Sequence, residues 1–132
     1  MDSQNLTTVK ELWRLLEEDG PSASIDAMLE RAHEDVELRA YAADGRTFHG
    51  ASEIRDYDRE REASGGSFHA SAWRFEEEGD AVYVLGSIRV HRPDGSIADA
   101  QLRWSYTFRD GLVTRASFGP LNAGNGSSDD AA

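Results

Sequence analysis

Four side chains that join an aromatic body to a polar tip, Trp13, Tyr57, Trp104 and Tyr106, occupy positions where periodicity turns them inward from three separate elements. Buried phenol and indole groups need hydrogen-bond partners, so four of them together make either a satisfied core or a polar-spotted cavity that orients a small, largely apolar molecule. Trp13 and Trp104 are expected on opposite walls of such a cavity. His69 is the titratable candidate: it falls in a strand near Trp73 and Phe75 and reads either as an exposed strand residue or as a group reaching the cavity. The other histidines, His33, His49 and His91, show no ligand spacing, so no metal and no cofactor is expected. His33 and His49 suit helix-end and turn positions, where imidazole bonds free backbone groups. There is no phosphate-binding glycine loop, no His-Glu-x-x-His and no Gly-x-Ser-x-Gly elbow, so no catalytic residue is assigned from motifs.

Composition narrows the setting. A chain of 132 residues, 39% of them hydrophobic, fits one domain with one core. A formal net charge of −11 repels phosphate backbones and argues against nucleic acid as a partner. The lack of cysteine removes thiolate chemistry and is compatible with a reducing compartment. No apolar run approaches the roughly 20 residues of a membrane span, and the polar start lacks a leader's hydrophobic segment. A cytoplasmic protein without membrane contact is therefore expected.

The elements that must position the aromatic residues are read from punctuation and periodicity. Thr8 and Glu11 form a capping box that predicts a first helix from Thr8, with Val9, Leu12, Trp13 and Leu16 as its apolar stripe and Gly20-Pro21 as its stop. Glu17, Glu18 and Asp19 crowd its negative end, which calls for solvation or a nearby cation. Ser24 is the expected cap of a second helix carrying Ile25, Met28, Leu29 and Ala32. Val36, Leu38 and Ala40 then alternate, and Asp44-Gly45 turns the chain toward Thr47-Phe48 in a short hairpin. Gly50 opens a third helix with Ile54 and Tyr57 on one side. Its charged run from Arg55 to Glu62, with pairs such as Asp56 with Arg59 and Asp58 with Arg61, reads as a solvated face.

Four strands follow as a meander, about 67–76, 81–92, 97–109 and 112–118, separated by Gly79-Asp80, Pro93-Asp94-Gly95 and Asp110-Gly111. The last pair organises the fold: Ala100, Leu102, Trp104, Tyr106 and Phe108 line an apolar face, while Gln101, Arg103, Ser105 and Thr107 face outward. Gly86, among the inward residues Val82, Val84, Ile88 and Val90, marks either a bend or room for something else. Residues 121–132 have almost nothing to bury and read as a disordered tail after a domain over 1–120. Helices segregated from an antiparallel sheet make the class α+β.

Asp35-Val-Glu-Leu, Phe48-His-Gly-Ala-Ser-Glu-Ile and Tyr106-Thr-Phe-Arg-Asp-Gly-Leu-Val, in this element order, resemble the nuclear transport factor 2-like superfamily of SnoaL-like and steroid isomerase-like proteins over about residues 7–119. The resemblance implies a cone-shaped fold, three helices packed on a curved, mostly antiparallel sheet of about six strands, and a homodimer through the outer face of the sheet. Carried over by position, the isomerase's oxyanion-hole tyrosine falls on Trp13, its general-base aspartate on Ala40 and its second oxyanion acid on Trp104. An alanine takes no proton, so enolisation by that route lacks its base. The expectation is a SnoaL-like protein binding a small apolar molecule in a cup of Trp13, Tyr57, His69, Trp104 and Tyr106. Its rivals are an isomerase, cyclase or hydrolase of the same fold, with His69, Asp99 and Tyr106 as participants, and a non-catalytic interaction module whose cavity is filled core.

Overall fold

Two helices lead the chain, α1 (Gln4–Asp19) and α2 (Pro21–Glu30), followed by β1 (Ala32–Arg39), β2 (Thr47–His49) and α3 (Gly50–Ala63). Four long strands complete it: β3 (Ser67–Glu78), β4 (Ala81–His91), β5 (Ile97–Arg109) and β6 (Leu112–Pro120). The structure is a computed structural model that describes residues 3–39, 46–65 and 67–120. Ala40, the Asp44-Gly45 turn and the tail from 121 onward lie outside the described residues. The element order and class are those expected from the sequence.

All six strands form one sheet in the order β2-β1-β6-β5-β4-β3. The β1–β6 pair is parallel and every other pair antiparallel. The hairpin between β5 and β6 turns on Asp110 and Gly111, both at positive φ (54° and 80°), the two-residue geometry whose twist matches that of the flanking strands. Its inward alternation carries through: Leu102, Trp104, Tyr106 and Phe108 are buried, and Gln101, Arg103 and Thr107 are exposed. Leu12, Leu38, Ile54 and Leu102 are fully buried around them, each worth about 1.5–3 kcal/mol relative to exposure. Among the described residues no helix is long and apolar enough to cross a membrane.

Both helix starts differ from expectation. α1 begins one turn before Thr8, because Ser3 is the cap and its hydroxyl accepts from the Leu6 N–H at 3.1 Å. The extra turn places Leu6 against the core, and Thr8 itself is buried inside the helix. α2 begins at Pro21, whose missing N–H costs nothing at a first helical position. Ser24 instead donates its hydroxyl to the Leu12 carbonyl at 2.9 Å, tying α2 to α1. Glu18, at the crowded end of α1, meets Arg14 one turn earlier at 3.2 Å.

Gly86 resolves as a bend. A register shift between Ala72 and Arg74 inserts an extra residue into β3, and the bulged backbone closes on β4 so tightly that a Cβ at Gly86 would lie 2.4 Å from the Ser71 carbonyl oxygen. Bulges of this kind kink a strand and strengthen its twist, which adds to the curvature of the sheet. The Gly86→Ala protein is expected to lose about 1–3 kcal/mol from this overpacking, read as a lower urea midpoint. Gly119→Ala, where nothing lies within 4 Å of the added carbon, is the control and should unfold like the parent.

Candidate functional site

The inward faces of α1, β3, β5 and β6 meet in an aromatic cluster. Trp13 stands edge-on to Trp104 with ring centroids 4.6 Å apart, and edge-on to Phe75 at 6.5 Å. Phe118 packs against Trp104 and Tyr106 at 5.9 and 6.2 Å. Inside this apolar cluster the Trp13 indole N–H donates to the Tyr106 hydroxyl oxygen at 3.2 Å. Trp13 is only 2% exposed, so that bond is shielded from water.

Beside the cluster is a cavity of about 60 Å³, several times the space one water requires. Tyr57, Phe68, Trp104, Tyr106 and Phe118 supply its aromatic wall, with Ile25, Ile88 and Leu102 among the aliphatic residues. Ser24 and Arg61 are also among its lining residues. Of the five residues expected to form the cup, three therefore lie together on the cavity: Tyr57, Trp104 and Tyr106. Trp13 does not line it. The expected placement of the two tryptophans on opposite walls is corrected, since the α1 stripe packs its indole directly onto Trp104 and sets Trp13 behind the wall, where it holds Tyr106.

His69 lies elsewhere. It alternates with the inward Phe68 and Ala70, is exposed, and sits edge-on to His91 at 5.6 Å on the other face of the sheet. Strand alternation alone accounts for this, because the run of Phe68, Ala70 and Ala72 claims the inner face. Asp99 is exposed as well, bridged to Arg89 at 2.8 Å. Among the described residues no group of three histidine or carboxylate side chains is placed to hold a metal ion.

Arg61 is the site residue that the sequence reading misplaced. On α3, Ile54, Tyr57, Asp58 and Arg61 fall at i, i+3, i+4 and i+7, one continuous face. That spacing was the available signal, obscured because two of the four are charged. The Asp58 and Arg61 side chains are only 11% and 12% exposed and pair at 2.7 Å, so this part of the charged run is buried rather than solvated. Ser22, at the start of α2, donates its hydroxyl to the other Asp58 oxygen at 2.7 Å. Tyr57, one turn before Arg61, stacks on Phe48 of β2 at 4.6 Å.

Burial raises the pKa of the Tyr106 phenol, an effect only partly offset by the indole hydrogen bond, and burial likewise raises that of Tyr57. Both stay neutral donors at physiological pH. With the folded value above the unfolded value of 10.0, Tyr106 leaves stability unchanged below pH 10 and withdraws it as pH climbs from there toward the folded value. Urea midpoints should thus be level between about pH 7 and 9 and fall above pH 10, with a shallower fall in Tyr106→Phe. An equally steep fall in that variant would show that the phenol is not the group responsible.

No family model matches the chain, and no curated protein matches it. Solved structures do. An NTF2-like protein of unknown function from Burkholderia pseudomallei is 21% identical, with a TM-score of 0.76 over 93% of this chain and 95% of that one. TerC, co-crystallised with polyporic acid, is 23% identical at a TM-score of 0.73 over 92% and 95%. A protein described as a SnoaL-like polyketide cyclase from Jannaschia is 17% identical at 0.70 over 94% and 93%. At these identities the likeness is one of fold, and the fold is that of the nuclear transport factor 2-like proteins.

Proposed function

We propose that the chain binds a small, largely apolar molecule in a conical cup whose floor is the Tyr57, Trp104 and Tyr106 cavity. The observation that carries this reading is the Tyr106 hydroxyl. Its oxygen accepts from Trp13, and among the described residues no group accepts its proton. A buried donor without an acceptor costs about 1–3 kcal/mol, and a ligand oxygen at the cavity offsets that cost. An open cavity beside such a donor supports a ligand site over a filled core. TerC, of the same fold, was co-crystallised with an organic molecule, which adds weight to the reading.

Binding is favoured over catalysis by the chemistry of the wall. Among the described residues lining the cavity there is no carboxylate and no imidazole. A phenol with raised pKa and a guanidinium are poor proton acceptors near neutral pH. Ala40, the position matched to the isomerase base, lies outside the described residues.

Acetophenone, an apolar ring with one carbonyl acceptor, is a suitable probe. It should give a saturable change in tryptophan emission that disappears in Trp104→Phe. Affinity should drop roughly five- to tenfold in Tyr106→Phe, the range expected for one neutral hydrogen bond. A Δ5-3-ketosteroid assay should show no conjugated enone above background. Unsaturable quenching in the parent protein would remove the cup, and robust enone formation would show that a base is present after all.

We further propose that the outer face of β4 and β5 pairs two copies of the chain. It presents Gln101, Arg103 and Thr107, with the Arg103 guanidinium over the Tyr83 ring at 4.2 Å, a polar surface with flat aromatic area of the sort that interfaces favour. Sedimentation velocity at tens of micromolar should give twice the 14.6 kDa chain mass; a single monomer boundary there would remove the dimer.

A further inference from the structure

We infer that the seam between α2 and α3 is the gate of this cavity, with the Ser22–Asp58 hydrogen bond as its latch. The inference rests on the binding reading above and adds how a ligand gets in. The cavity measures about 60 Å³, whereas a dry apolar cavity that takes up benzene measures roughly 150 Å³. A ring-sized ligand is therefore admitted only if part of the wall moves, and the parts of the wall differ in what their movement breaks.

The sheet side of the wall, from Phe68 on β3 to Phe118 on β6, is joined by antiparallel ladders, so its retreat would break main-chain hydrogen bonds. α1 contributes Leu16, but Thr8, Val9, Leu12 and Trp13 anchor that helix by burial. α2 contributes Pro21, Ser24 and Ile25, and Met28 is its one buried residue. Ile25, Ala27 and Leu29 pack on the core while only partly buried. α2 is thus the part of the wall whose displacement uncovers the least apolar surface.

Polar side chains hold it against α3. The Ser22 hydroxyl donates to Asp58 Oδ2 at 2.7 Å and accepts from Arg61 Nη2 at 3.3 Å. Arg55 meets Asp26 at 2.6 Å, with both side chains exposed, a kind of pair that adds little. Ser24 bonds to α1 instead, through the Leu12 carbonyl. The residue that joins α1 to α2, Gly20, has φ 97° and ψ 176°, a region essentially confined to glycine. Nothing lies within 4 Å of where its Cβ would be, so no side chain obstructs this joint. α2 can therefore part from α3 while it stays tied to α1. Because α3 lines the cavity through Tyr57 and Arg61, a gap between the two helices opens into it.

Ser22 does not line the cavity, so removing its hydroxyl takes no contact from the ligand, and Asp58 keeps its pairing with Arg61. A latch that holds the closed form lowers apparent affinity by keeping the competent form scarce. Ser22→Ala should accordingly bind acetophenone about two- to tenfold more tightly than the parent, the range of one hydrogen bond, and associate faster in stopped-flow tryptophan fluorescence. Ser22→Thr, which retains the hydroxyl, should behave like the parent. A purely structural role for the hydroxyl predicts the opposite sign, weaker binding in a loosened protein. Equal or weaker affinity in Ser22→Ala, or Ser22→Thr binding as tightly as Ser22→Ala, would overturn the gate and leave the cup standing. If neither the parent nor Ser22→Ala gives saturable quenching, the cup and its gate fall together.

Discussion

A single hydrogen bond sealed inside an aromatic cluster, from the Trp13 indole to the Tyr106 hydroxyl, ties the first helix to the middle of the sheet. Its net worth as a bond is about 1 kcal/mol, but its directional effect is larger. The indole has one donor and no acceptor, so the phenol must accept from it and is left to donate elsewhere. The edge-on contact of Trp13 with Trp104 fixes the indole plane, and Phe118 braces both sheet residues from β6. The hydroxyl orientation of a residue that lines the cavity thus follows from a tryptophan that does not line it.

The ends of α2 and α3 supply the other constraint. An uncapped helix start, a buried carboxylate and a guanidinium satisfy one another through Ser22, Asp58 and Arg61. Removing Asp58 or Arg61 takes from a buried charge its opposite partner, which is why buried pairs are costly to break although they add little when complete. Packing between the start of α2 and α3 is therefore coupled to a buried ion pair.

Local chemistry made much of this legible in the chain. Asp110-Gly111 demanded a tight turn, and once it was placed, alternation set Trp104 and Tyr106 inward without any knowledge of what they meet. The failures share one cause, competition between local signals that only tertiary contacts decide. Ser3 and Thr8 are both competent caps, and Leu6 reaching the core favours the earlier one. Ser24 is a good cap residue drawn away by the Leu12 carbonyl. A missing side chain at Gly86 is compatible with a void or with a close approach, and an inserted residue on the neighbouring strand selects the approach. Asp58 and Arg61 look solvated in one dimension because nothing in α3 says that the start of α2 will cover them. Trp13 was legible as buried but not as a second layer, since periodicity gives a direction and not a depth.

The strand order has a bearing on how the chain acquires its structure. β1 is made early, yet apart from the three-residue β2 its lateral partner is β6, the last strand of the described fold. That parallel pairing brings Leu38 beside Ala116, a contact whose loop-closure entropy must be met before it yields any gain. Until the last strand exists, β1 keeps an unpaired backbone edge of the kind that recruits other chains. On a ribosome the first two-fifths of this fold would wait, half-assembled and adhesive, for the final strand to emerge and close it.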